Sequence, residues 1–192
     1  MDFGAVMERM RKLRAQIAPN DSAQRFSERL GVDVYIGHGK FLNKNTVQVN
    51  GQELGFHKAV IASGARAAVP PIKGLQETGY LTNANVWNLT ELPPRLAVIG
   101  SGAIGCELAQ CFARFGSQVT ILFRSDRIMT REDPEAAAIV SKSLENDGIR
   151  LLSGARTQRA RKESNGEKVL EVIVDGLTRL FASLLLHLQR NA

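Results

Sequence analysis

The most constraining feature of the chain is the order of residues 95–123: an apolar run, a glycine-rich turn, an amphipathic stretch and a second apolar run. Residues 95–99 read as a strand, and Ile104, Leu108, Cys111 and Phe115 recur at helical spacing on one face. Gly116 ends that helix, and residues 118–123 form the next strand. A helix of this length between two strands is the crossover that a parallel pair requires. The turn ahead of the helix is Gly100, Ser101, Gly102, Ala103, Ile104 and Gly105. Gly100 permits the tight turn, Gly102 lets backbone approach a pyrophosphate, and Gly105 allows close helix–strand packing. The N–H groups at the helix start would then hold the phosphates. A glycine-rich turn without a ligand is the competing reading, and the complete β-α-β setting argues against it.

The alternation continues downstream. Asp133 caps and Pro134 starts another helix, which Gly148 closes. Residues 149–152, 169–174 and 180–186 supply further strands, the last two joined through Asp175 and Gly176. The fold class is therefore α/β, a Rossmann-like dinucleotide-binding fold. Upstream the pattern differs. Phe3, Val6, Met7, Met10, Leu13 and Ile17 form one helical stripe, broken at residues 18–22, with a second helix expected to end at Gly31. Residues 32–36 alternate like a strand, residues 46–49 with Asn50 and Gly51 read as a hairpin, and residues 58–62 read as a buried strand. Pro70, Pro71, Gly74, Gly79, Pro93 and Pro94 mark a boundary. The expected organisation is residues 1–92, residues 93–186, and a divergent tail at 187–192.

Composition narrows the partners. Hydrophobic residues at 44% and charged residues at 23% exclude a disordered or fibrous chain. The apolar run 180–186 is too short to span a bilayer, and the charged, helical N-terminus is unlike a secretory signal, so no membrane partner is expected. Two cysteines make no disulfide scaffold, which points to a reducing, cytoplasmic setting. The excess of 25 Lys and Arg over 19 Asp and Glu gives +6, a sign suited to a phosphorylated small molecule or to nucleic acid. Arg9, Arg11, Lys12 and Arg14, and likewise Arg156, Arg159, Arg161 and Lys162, have acids nearby and no interleaved aromatics. Solvated faces are expected there, not a nucleic-acid surface.

The end of the second strand carries the cofactor choice. An acid at this place would accept from the adenosine ribose of NAD. Here it is Phe123, followed by Arg124, Ser125, Asp126, Arg127 and then Arg131. Arginines suit a 2′-phosphate through charge-assisted contacts, so NADP is favoured over NAD; a solvated loop with incidental charges is the alternative. Cys106 and Cys111 stand five residues apart on one helix, roughly 140° around its axis, which is incompatible with a disulfide. Both read as small buried helix residues. His38, His57 and His187 show no metal-ligand spacing, and no metal site is expected.

With these motifs in place, a family resemblance emerges. The run from Lys58 through Ala62, Ser63, Gly64 and Arg66, with Pro70, Pro71, Ile72 and Gly74, resembles the "ATG" region of flavin-dependent pyridine nucleotide-disulfide oxidoreductases. Residues 92–128, with Cys106, Glu107, Leu108, Ala109 and Gln110 after the fingerprint, are similar to their NAD(P) domain, and Arg124, Ser125 and Arg131 to Pro134 are most like the mercuric reductase branch. The resemblance implies an FAD domain interrupted by an NAD(P) domain, with homo-oligomers formed through a later domain. It makes residues 1–92 a partial FAD-binding-type domain. It implies that Gly37, His38 and Gly39 meet the FAD adenine, that Ala62, Ser63 and Gly64 pass the flavin dinucleotide, and that Glu107 lies near flavin and nicotinamide as the catalytic residue.

The departures matter equally. There is no N-terminal glycine fingerprint, no redox-active C-x4-C after it, and no lysine one turn later. The resemblance therefore implies an internal piece of a longer enzyme, poor in flavin retention, in which hydride would pass from NAD(P)H to FAD only in the intact protein. A truncated form that binds nucleotide or pairs with other chains without turnover is the alternative.

Overall fold

The computed structural model describes residues 1–182 and 184–187, so all of the expected tail beyond His187 lies outside the described residues. The chain divides into two compact units, one of residues 9–64 and the other of residues 1–8 with residues 65 onward. Helix α1 (Phe3–Ile17) begins in the latter and runs on into the former. Its apolar stripe is used only at the start: Phe3 and Met7 are buried, whereas Leu13 and Ile17 are exposed.

In the unit of residues 9–64 the expected break carries a 3-10 turn (Ala18–Asp21), and the expected second helix follows over residues 23–30, π-helical at Arg25–Arg29, with Ser22 Oγ accepting from the Arg25 N–H at 3.1 Å and Gly31 at φ 65° ending it. Strands β1 (Gly39–Asn43), β2 (Thr46–Val49) and β3 (Gln52–Gly55) then form an antiparallel sheet. The hairpin predicted at Asn50 and Gly51 is present, with Val49 opposite Gln52 and both turn residues in the left-handed region. Two expected strands are absent. Residues 32–36 and 58–62 have extended sequence patterns but form no strand, and Ile36, Val60 and Ile61 are 77%, 92% and 75% exposed. A strand needs a hydrogen-bonding neighbour, and the sheet of this unit ends at β1 and β3 without pairing to either segment.

The other unit holds the alternating pattern. After the short helix α2 (Leu75–Thr78) come β4 (Arg95–Ile99), α3 (Ala103–Phe115), β5 (Gln118–Leu122), α4 (Pro134–Asn146) and β6 (Arg150–Leu152). Strands β7 (Arg156–Lys162), β8 (Lys168–Val174), β9 (Leu177–Ala182) and β10 (Leu184–His187) follow. The first sheet is parallel in the order β10-β4-β5-β6, and the second is the antiparallel meander β7-β8-β9. The strand expected at 180–186 thus belongs to two sheets: β9 completes the meander, and β10 lies beside β4 with Leu184 opposite Leu96. Strand β7 is an addition. Its arginines do face solvent largely as expected, but they ride on a strand whose Ala160 is buried.

Successive residues of β4 point to opposite faces. Ala97, with Leu122 and Leu185, packs into one cluster with Leu75, Leu170, Val172 and Val174, so the meander covers one face of the parallel sheet. Each such fully buried Leu or Val contributes about 1.5–3 kcal/mol relative to exposure. Val98 faces α3, 3.6 Å from where a side chain on Gly105 would begin. The buried face of α3 is Gly105, Cys106, Leu108, Ala109 and Phe112; of the expected line Ile104, Leu108, Cys111 and Phe115, Leu108 is buried, Ile104 and Phe115 are half-buried and Cys111 is exposed. Gly105 and Ala109 on that face let the helix axis approach the sheet. Phe3 closes this layer, its ring 5.9 Å from that of Phe112 and 5.6 Å from that of Phe115. Among the described residues no helix is long and apolar enough to cross a membrane.

Candidate nucleotide-binding site

The turn at the end of β4 is held from three sides. Gly100 has a φ of 104° and its N–H donates to the Leu122 carbonyl at 2.9 Å, tying the turn to β5. Ser101 is buried, and its carbonyl accepts from the Met129 N–H at 2.9 Å and from the Cys106 thiol at 3.5 Å. Gly105 is pressed against the turn itself, whereas Gly102 and Ala103 are exposed and Gly102 has open space where a side chain would begin. Gly102 is also the N-cap of α3, and no side chain caps that helix start. Its first-turn N–H groups are thus available at the positive end of the helix dipole. The geometry fits a phosphate-bearing group: backbone donors, room for close approach and no acid in the first turn.

The second part of the site is the loop between β5 and α4. Phe123 is buried at 7% exposure, so it faces the core and leaves the exposed edge of the loop to its neighbours. Arg124 and Arg131 are exposed, while Ser125 is half-buried and donates its hydroxyl to the Arg127 carbonyl at 2.8 Å. The loop is no open excursion. Ile128 is buried at 1% exposure, and the Met129 N–H reaches the Ser101 carbonyl, bringing the loop against the glycine turn. Asp133 performs the predicted cap, accepting from the Glu135 and Ala136 N–H groups at 2.9 and 3.1 Å. The sequence placed Arg127 in the arginine run without showing its bonds to the loop carbonyls, and it gave Met129 no role. The signal was Ile128 with Met129, an apolar pair in a charged loop, which marks a fold-back onto the core.

Glu107 is exposed on α3, just beyond the turn. The cysteines differ from each other: Cys106 is buried, as expected, but Cys111 is exposed. Burial pushes the Cys106 thiol up to about 11. Cys111 is raised too, by partial burial and by the charge of Glu107, against a smaller opposing effect of Arg114. Neither is primed as a nucleophile at neutral pH.

The residues assigned to FAD by resemblance lie in the other compact unit. Gly37, His38 and Gly39 are exposed at the start of β1, and Ala62, Ser63 and Gly64 are exposed in irregular backbone. A side chain on Gly37 would begin 2.5 Å from Asn50 Oδ1, and Asn50 Nδ2 donates to the Ile36 carbonyl at 2.9 Å. Gly37 thus lies against the Asn50 side chain of the hairpin turn. Residues 9–64 contain no strand–glycine turn–helix unit of the kind that ends β4. Among the described residues no three metal-ligating side chains come together.

Known proteins share this arrangement. The chain is 41% identical over 150 residues to the mercuric reductase of Bacillus cereus, covering 78% of this chain and 24% of that protein. It is 36% identical over 184 residues to the mercuric reductase of Lysinibacillus sphaericus, covering 95% and 33% respectively. The HOCl-induced flavoprotein disulfide reductase RclA from Escherichia coli superposes with a TM-score of 0.83 at 29% identity, over 100% of this chain and 44% of that one. The chain thus spans a quarter to under a half of the proteins it matches. The sequence profile described as "Pyridine nucleotide-disulphide oxidoreductase" matches residues 6–187. With the strand–turn–helix geometry and these relatives in agreement, the chain belongs to the pyridine nucleotide-disulfide oxidoreductase family of FAD- and NAD(P)H-dependent flavoproteins.

Proposed function

We propose that the chain is an NADP(H)-binding segment of a flavin-dependent disulfide-type oxidoreductase. The observation that carries the reading is the open approach at Gly102 beside an uncapped helix start. Residues 100–105 hold the pyrophosphate through backbone N–H groups, with Ser101 turned inward and Ala103 and Ile104 opening the helix. Arg124 and Arg131 supply the positive charge for a 2′-phosphate, and the Ser125 oxygen keeps its acceptor capacity toward the same edge. The nicotinamide, when bound, supplies a hydride donor. Glu107 orients that end of the nucleotide.

FAD is a poorer match to the residues present. Gly37, His38, Gly39, Ala62, Ser63 and Gly64 are exposed and form no phosphate cradle, so flavin retention by this chain is expected to be weak. Thiol-relayed reductase activity needs two sulfurs that can meet, which Cys106 and Cys111 on one helix are not.

The test is direct titration. The unaltered chain should quench or enhance NADPH fluorescence saturably and bind NADPH more tightly than NADH. Gly102→Val should lose both. Undiminished NADPH binding by that variant would refute the assignment of the turn.

A further inference from the structure

We infer that Arg127 is the positioning residue of the cofactor-discriminating loop, a clamp and not itself a phosphate ligand. The inference rests on the reading of residues 100–105 and 124–131 as an NADP(H) site. The guanidinium of Arg127 donates to four backbone carbonyls of its own loop. One terminal nitrogen reaches Ile128 O at 3.4 Å and Met129 O at 2.9 Å, and the other reaches Thr130 O at 3.1 Å and Glu132 O at 3.2 Å. Five donors in a rigid planar fork can do this; a lysine ammonium, a compact point charge on a flexible stem, cannot span the same set.

The consequence is a fixed path for the chain between Arg124 and Arg131. Met129 sits at φ 48°, in the left-handed region that a non-glycine residue rarely adopts, so this conformation needs holding. It is held by the carbonyl contacts of Arg127, by the Glu132 N–H donating to Met129 O at 2.9 Å, and by the Met129 N–H on Ser101 O. The last bond joins the loop to the glycine turn. Arg127 itself is half-buried with its donors engaged, whereas Arg124 and Arg131 on either side are exposed. The clamp thereby sets where those two charges stand relative to the phosphate-binding turn. Discrimination between NADPH and NADH depends on that placement, while affinity for the pyrophosphate does not.

The experiment has two arms on the full chain. In the first, without nucleotide, amide exchange at Met129 and Glu132 is compared in the unaltered chain, Arg127→Met and Arg127→Lys. Both variants should lose protection there by about tenfold or more, the scale of one lost hydrogen bond to a charged group, with the amides of β4 and β5 unchanged. In the second, NADPH and NADH are titrated separately. Both variants should lower the NADPH-over-NADH preference by about tenfold while NADH affinity holds within twofold. Unchanged protection at Met129 and Glu132 overturns the clamp. Restoration of the preference by Arg127→Lys also overturns it, since charge alone would then suffice. If the unaltered chain binds neither nucleotide, the site reading fails instead, and the exchange arm still decides whether the clamp exists.

Discussion

The carbonyl oxygen of Gly100 lies 2.7 Å from the point where a side-chain carbon on Gly105 would begin. That oxygen is backbone, held in a turn whose N–H is bonded to β5, and cannot move aside cheaply. Gly102, three residues earlier, has no atom within 4 Å of the corresponding point, and its φ of −72° suits any residue. Tight packing and open space are therefore separated onto two glycines of one motif.

Gly105→Ala should destabilise the fold by about 1–3 kcal/mol, the usual range for an added methyl in a tightly packed site. Gly102→Val should melt within a degree or two of the unaltered chain, about the scale of a neutral surface change. Thermal unfolding followed by circular dichroism checks both. A similar loss in the two variants would show that the turn is a purely structural element.

Cofactor preference should respond to the loop arginines. Arg124→Ala removes a charge that is exposed beside the turn. A lost hydrogen bond to a charged partner is worth about 1.5–3 kcal/mol, so NADPH affinity should fall about tenfold or more while NADH affinity stays level. Parallel fluorescence titrations with both nucleotides read this. An unchanged ratio would return Arg124 to the solvated surface.

The β4-α3-β5 half was legible because its signals are local: a period of two, a glycine turn, a period of 3.6, a second run. The face of α3 was legible in part: helical spacing placed Leu108 correctly, but the buried face is centred on Gly105, Ala109 and Phe112, one step round the helix from Cys111. Strand β7 was hidden because its sequence, Arg156 to Lys162, is almost wholly polar, and its partner β8 supplies the apolar side. Residues 32–36 and 58–62 show the converse. Apolar alternation states a capacity to pair, and pairing itself depends on a neighbouring strand that no local pattern reveals.

That difference should appear in exchange kinetics. Amides of residues 58–64 belong to no ladder and carry exposed side chains, whereas Leu96, Val98 and Ile121 are essentially fully buried in the parallel sheet. Hydrogen exchange followed by mass spectrometry should find the first group among the fastest and the second among the slowest. Comparable protection in both would mean that residues 58–64 pair in solution.

Acid should act through Asp147. Its carboxylate accepts from Gln110 Nε2 at 2.6 Å and from Arg114 Nε at 3.0 Å, joining the end of α4 to α3. The bonds from Arg114 and Gln110 hold its pKa below the ordinary carboxylate range. A depressed folded pKa means the contribution is complete above the unfolded value and disappears as pH falls through the lowered one. Asp147→Asn should therefore be less stable near neutrality and lose less on acidification below about pH 4. Urea midpoints measured from pH 7 to pH 3 give the comparison, and parallel curves for the two proteins would contradict it.

The two thiols should be chemically quiet. Cys106 is buried, donates to the Ser101 carbonyl and titrates up near 11, so at pH 8 it is almost entirely protonated. Cys111, exposed on the same helix, is raised by partial burial and by Glu107. Five residues of helix set the two side chains roughly 140° apart, and no rotamer closes that gap to bonding distance. With an aromatic disulfide reagent at pH 8, Cys111 should react slower than a free thiol and Cys106 only on unfolding. The chain supplied with NADPH and excess FAD should then reduce neither disulfides nor mercuric ion, because a thiol relay needs two sulfurs that can meet. Turnover abolished by both Cys106→Ser and Cys111→Ser would show that the helix opens to bring them together. Turnover indifferent to both would show electrons reaching the acceptor by a route without thiols.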